Sequence, residues 1–85
     1  MATDIRETLR AYFTGKIGGD RSLLPKDGES LVDEGILDSF GLAELVALLE
    51  KEFAVSVPDA DIQLAGFESI EKIEAYVNRR RSPAS

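Results

Sequence analysis

Ser39 sits between Asp38 and Phe40 in the stretch GILDSFGLAELVALLEKEF, residues 35–53, where an apolar helix-forming run begins. A hydroxyl beside a carboxylate suggests nucleophilic chemistry, but the sequence supplies no base for it. Histidine and cysteine are both absent, which removes Ser-His-Asp triads, Cys-His dyads and zinc sites of the usual composition. A serine–lysine pair would need Lys16, Lys26, Lys51 or Lys72 beside Ser39, and nothing in the pattern brings one there. The segment GKIGG (15–19) lacks both the spacing and the Ser/Thr of a phosphate-binding loop. In DADIQLAG (59–66) the glycine falls too late for a calcium loop, and the segment reads as a solvated turn.

Two readings of Ser39 remain at this point. In the first, serine is simply at home at a helix start beside an aspartate cap. In the second, Ser39 is an attachment point. The first turn of a helix has N–H groups without partners and the positive end of the dipole, and both favour a phosphate. A hydroxyl there is accessible and rigidly presented, and a modifying enzyme can bring the base and the metal that the chain lacks.

The elements that would hold Ser39 follow from periodicity. Ile5, Leu9, Tyr12 and Phe13 make one stripe of a helix over residues 4–14, capped by Thr3 or Asp4, with Asp4 and Glu7 at capping-box spacing and Gly15, Gly18 and Gly19 ending it. A long connection over about 15–37 follows. Structureless loops of that length are uncommon in a compact domain, so Leu23, Leu24, Leu31, Val32, Ile36 and Leu37 are expected to pin it to the core. The second helix is capped by Asp38 and carries Leu42, Leu45, Val46, Leu48, Leu49 and Phe53 on a broad apolar face, with Glu44, Glu50, Lys51 and Glu52 mostly off it. VSVP (55–58) breaks the pattern, Asp59 to Leu64 suit a short helical turn that Gly66 ends, and Ser69 caps a last helix to about Arg80 with Ile70, Ile73, Tyr76 and Val77 inward. Arg79, Arg80 and Arg81 suit the negative end of that helix dipole and read as a solvated helix end, with a docking patch the lesser alternative. The sequence therefore predicts an all-α fold of three main helices and one short helix, in a single domain over residues 1–85, ordered over about 4–80, with 82–85 a tail.

Charge and composition narrow the function. The net charge is −6, and it is uneven: residues 27–61 hold ten carboxylates against the single Lys51. Such a chain lacks the basic face that nucleic-acid binding requires, and its natural partners are proteins with basic patches. No apolar run approaches the roughly 20 residues of a membrane span, and the N-terminus has no signal-like core, so a cytoplasmic monomer is expected.

The segment around Ser39 resembles the phosphopantetheine attachment segment of acyl and peptidyl carrier proteins, whose usual core is Asp-Ser-Leu a few residues after a glycine, opening the second helix. Gly35, Asp38-Ser39 and the apolar and acidic pattern through Phe53 carry the resemblance, and the order of elements extends it over about residues 4–80. Phe40 in place of leucine, followed by Glu44-Leu45, looks more like free-standing D-alanyl and other aminoacyl carriers. The resemblance implies a small antiparallel four-helix bundle. It also implies a 4′-phosphopantetheine arm on Ser39, moved from coenzyme A by a phosphopantetheinyl transferase, and an acyl or aminoacyl group held as a thioester. Asp38 would cap the helix and help present Ser39. Phe40, Leu42 and Glu44, with Asp33 and Glu34 of the preceding loop, would form the docking surface for the transferase and for adenylating or acyl-transferring enzymes. A helical interaction module without a prosthetic group and a small enzyme using Ser39 are the alternatives from other classes.

Overall fold

The computed structural model describes residues 4–81, and within them the fold is all-helical, without strands. Three α-helices, α1 (Ile5–Lys16), α2 (Ser39–Phe53) and α3 (Ile70–Arg81), are joined by segments containing short 3-10 turns at Arg21–Leu23, Asp59–Asp61 and Leu64–Phe67. Thr3 and the tail 82–85 lie outside the described residues.

Each helix starts where a side chain can take up an unpartnered amide. Asp4 accepts from the Glu7 amide at 3.2 Å and Asp38 from the Gly41 amide at 2.7 Å. Ser69 Oγ, itself buried, accepts from the Lys72 amide at 3.1 Å. The first helix passes through Gly15 and ends at Lys16, with Gly18 and Gly19 at positive φ in the turn beyond. The single short helix expected over 59–64 is divided into two 3-10 turns, and Gly66 lies inside the second of them.

The apolar stripes meet in one core. Leu9 and Phe13 of α1, Leu45 and Leu49 of α2, and Ile73 and Val77 of α3 lose all or nearly all contact with solvent. Val55 and Val57, in the segment that breaks the helical pattern, are buried as well. Both α1 and α2 pack on α3, and α2 also packs on the Leu64–Phe67 turn, whereas α1 and α2 have little direct contact.

The connection from α1 to α2 is held much as expected, with one correction. Leu31 and Leu37 are fully buried, and Leu24, Val32 and Ile36 pack against the core. Leu23 is 65% exposed. It ends a 3-10 turn, in which successive side chains fan out by about 120°, so Leu23 and Leu24 cannot both face inward. Leu31 anchors the rest. Its amide donates to the Glu68 carbonyl at 2.6 Å, and its own carbonyl accepts from Ile36 and Leu37 at 2.9 and 3.1 Å. Gly35, at φ +75, lets the chain turn back within that loop.

Asp27 ties the same connection to two helices. Its carbonyl accepts from the Glu71 amide at 2.9 Å, and its carboxylate accepts from Arg6 Nη1 at 2.9 Å and Arg10 Nε at 3.1 Å. These carboxylate bonds raise the Arg10 guanidinium above its ordinary value, the hydrogen bond to Asp27 being the largest cause. At the far end, Arg79 and Arg80 are exposed and Arg81 half-buried, as a solvated helix end would be, yet each touches the chain. Arg80 Nε donates to the Ser56 carbonyl at 3.0 Å, Arg79 lies over the Tyr76 ring and Arg81 over the Phe53 ring.

Candidate functional site

Ser39 is the first residue of α2 and is exposed, and its hydroxyl enters no hydrogen bond among the described residues. The local sequence explains the position. Asp38 is extended (φ −134, ψ −174); its carboxylate takes the Gly41 amide and its carbonyl takes the Leu42 amide at 2.8 Å. The cap therefore serves the third residue of the helix, and the Ser39 and Phe40 amides keep no acceptor within the helix. Leu37, buried against Leu31, fixes the chain immediately before the cap. Ser39 is thus presented by a rigid helix start, with core on one side and solvent on the other.

The other expected site residues divide. Phe40 is 87% exposed, an unusual position for a large aromatic side chain, and it stands directly beside Ser39. Asp33 and Glu34 are exposed and make no ion pair among the described residues. Leu42 is corrected: it is 5% exposed and belongs to the core, because it falls on the same helix face as Leu45, Val46 and Leu49. Glu44 is exposed, but its carboxylate is paired with the Lys16 ammonium across the gap between α1 and α2. That hydrogen bond is the largest cause raising the Lys16 ammonium above its ordinary value of 10.5.

The sparse contact between α1 and α2 leaves a cleft beside Ser39 that the sequence did not announce. It has a volume of about 260 Å³ and opens between Asp38, Phe40 and Gly41 on α2 and Tyr12 and Lys16 on α1, with Ile36 and Leu37 behind. Tyr12 and Phe13 pack edge to face, with ring centroids 5.1 Å apart. Lys16 Nζ stands over the Tyr12 ring at 5.3 Å from its centroid, and the nearby phenol helps to raise the Lys16 ammonium. The Tyr12 hydroxyl is buried, and among the described residues it makes no hydrogen bond of ordinary length. In the sequence Tyr12 counts only as one member of an apolar stripe. Its hydroxyl could be singled out only once its surroundings were known.

These features fit a covalently anchored, phosphate-linked group: an uncommitted hydroxyl sits at a helix start whose first amides are free, and an open cleft begins at its neighbours. Among the described residues no group of three or more carboxylates could hold a metal ion, and no helix is long and apolar enough to cross a membrane.

The small helical fold is consistent with that of a carrier protein, and the comparisons identify the family. The family described as the phosphopantetheine attachment site matches residues 7–77, so the chain belongs to that family, whose covalent cofactor is 4′-phosphopantetheine. The chain is 29% identical over 77 residues to an acyl carrier protein of Thermotoga maritima, covering 91% of each chain. It is 31% identical over 74 residues to D-alanyl carrier protein 2 of Lactiplantibacillus plantarum, covering 87% of this chain and 90% of that protein.

Proposed function

We propose that Ser39 is the residue that carries the 4′-phosphopantetheine arm, and that the whole chain acts as one discrete acyl or aminoacyl carrier domain rather than as an enzyme. The observation that carries this reading is the exposed, uncommitted Ser39 hydroxyl at the capped start of α2, inside the span matched by the family. In the loading step, Ser39 Oγ bonds to the phosphorus of coenzyme A nearest the pantetheine. The bond from that phosphorus to the bridging oxygen of the nucleotide part breaks, and the nucleotide leaves. The hydroxyl proton passes to a base on the transferase, since the chain has no histidine. Asp38 holds the helix start in place by taking the Gly41 amide, and the free Ser39 and Phe40 amides face the incoming phosphate.

When bound, the arm supplies a terminal thiol that holds the cargo as a thioester, a function that a chain without cysteine cannot provide itself. Phe40 offers a transferase or loading enzyme an exposed aromatic contact, and Asp33 and Glu34 offer unpaired carboxylates to a basic patch. Dependence on coenzyme A puts the modification in the cytoplasm. Incubation with coenzyme A and a transferase should add the mass of one phosphopantetheine, and Ser39→Ala should abolish the addition. Labelling that survives the substitution would move the attachment site elsewhere.

A further inference from the structure

The C-terminal ends of α2 and α3 meet at a pole whose charge opposes that of the chain as a whole. We propose that Arg79, Arg80 and Arg81 form a docking surface there for an Asp/Glu-rich segment of a partner protein, remote from Ser39. The binding itself is independent of attachment at Ser39; only its use in holding a loaded carrier rests on that reading.

Pairing singles out these three cations. Of the ten lysine and arginine side chains, Arg6, Arg10, Lys16, Arg21 and Lys72 form ion pairs with carboxylates. Arg79, Arg80 and Arg81 form none among the described residues, in a chain whose net charge is −6. Two carboxylates of this end are engaged elsewhere: Glu50 accepts from the Val57 amide at 3.0 Å, and Asp61 from the Tyr76 hydroxyl at 2.8 Å. Lys51 and Glu52, exposed in the last turn of α2, offset each other. The C-terminus of α3 contributes about half a negative charge, so three guanidiniums leave the pole positive.

The fold also holds these groups in place. Arg80 Nε donates to the Ser56 carbonyl at 3.0 Å, which leaves both of its Nη groups for a ligand. Arg79 lies over the Tyr76 ring at 5.6 Å from its centroid, and Arg81 over the Phe53 ring at 5.8 Å. Stacking occupies a face of the guanidinium and leaves its N–H edge, whose planar fork matches a carboxylate. A guanidinium already held loses less freedom on binding than a free one.

Charge selects the partner. A membrane surface or a nucleic-acid duplex is negative over its whole extent, and would repel the ten carboxylates of residues 27–61 while attracting three arginines. A short acidic segment meets the arginines alone. Position makes such a contact compatible with delivery. Ser39 and Phe53 stand at opposite ends of α2, about 21 Å apart along its axis, so a partner on this pole leaves Ser39 and Phe40 open.

Hexaglutamate titrated into the full, unmodified chain at low ionic strength tests this. The backbone amides of residues 77–81 and of Ser56 should shift with the Nε–H signals of the three arginines, and those of residues 38–41 should not. Hexaglutamine should shift none of them. Replacing Arg79, Arg80 and Arg81 together by glutamine should weaken binding at least about tenfold, since each exposed ion pair contributes up to about fivefold. Arg80→Gln, which leaves both stacked arginines in place, should weaken it severalfold. Affinity should be the same once intact mass shows one phosphopantetheine on the chain. Shifts centred on Arg21 and Lys26, undiminished binding by the triple variant, or the same shifts with inorganic phosphate overturn the docking surface. Binding to phosphatidylserine vesicles without binding to the peptide overturns it as well. Failure of the mass addition overturns the carrier reading instead, and the titration of the unmodified chain still decides the docking surface.

Discussion

Lys16, in the last turn of α1, donates its ammonium to the Glu44 carboxylate on α2, and the pair lines the cleft beside Ser39. Glu44 is therefore a locally neutralised charge. Asp33 and Glu34, in the loop before α2, make no such pair among the described residues.

This difference orders the effects of charge reversal. Glu44→Lys should leave helicity nearly unchanged, because an exposed ion pair contributes about 0–1 kcal/mol. At low ionic strength it should slow phosphopantetheinylation modestly, and the double substitution of Asp33→Lys with Glu34→Lys should slow it several-fold more. Both deficits should shrink as salt rises, since exposed charges are screened beyond about 10 Å at 0.1 M. Initial rates of mass addition at low and physiological salt provide the measurement. Wild-type rates in the double variant at low salt would leave Phe40 as the principal docking feature.

The end of α2 holds a stability gain in reserve. Ala54 occupies the left-handed region at φ 54, ψ 39, and its side chain is exposed. A residue with a Cβ is strained there by about 1–2 kcal/mol, while glycine gives back about 0.5–1 kcal/mol through its freer unfolded chain. Ala54→Gly should therefore stabilise the fold by roughly 0.5–1 kcal/mol, raising the melting temperature by roughly 2–8 °C in a domain of this size. Thermal unfolding followed by circular dichroism decides it, and a lower melting temperature would show that the strain is negligible.

High pH should weaken the fold through Tyr76. Burial pushes its phenol above the ordinary value of 10.0, and the hydrogen bond to Asp61, at 2.8 Å, adds to the shift. A raised value means that the folded state holds the proton more tightly than the unfolded chain. Its stabilising contribution is thus complete below pH 10 and is lost as pH climbs through the folded value. Absorbance titration should show a phenol ionising above the ordinary range, and Tyr76→Phe should remove that step. Urea unfolding should show stability falling above pH 10 in wild type.

The parts of this protein that depend on near neighbours in the chain could be read from the sequence. The stripe of Leu9 and Phe13, the face from Leu42 to Phe53 and the face from Ile70 to Val77 are set by helical period. The caps Asp4, Asp38 and Ser69 act across three residues, so their positions need no knowledge of the fold. Ser39 at the mouth of α2 follows from Asp38 for the same reason.

What only the tertiary structure decided lies between elements. In an irregular connection no period ranks one leucine against another, so the burial of Leu31 and the exposure of Leu23 were settled by what packs on them. Ten carboxylates against one lysine in residues 27–61 describes the segment but not its field. The fold brings Arg6 and Arg10 of α1 to Asp27 and Lys16 to Glu44, distant in sequence and adjacent in space. The cleft arises in the same way: α1 and α2 both pack on α3 more closely than on each other. The gap this leaves buries the Tyr12 hydroxyl beside the attachment segment, an outcome of helix placement that no local pattern encodes.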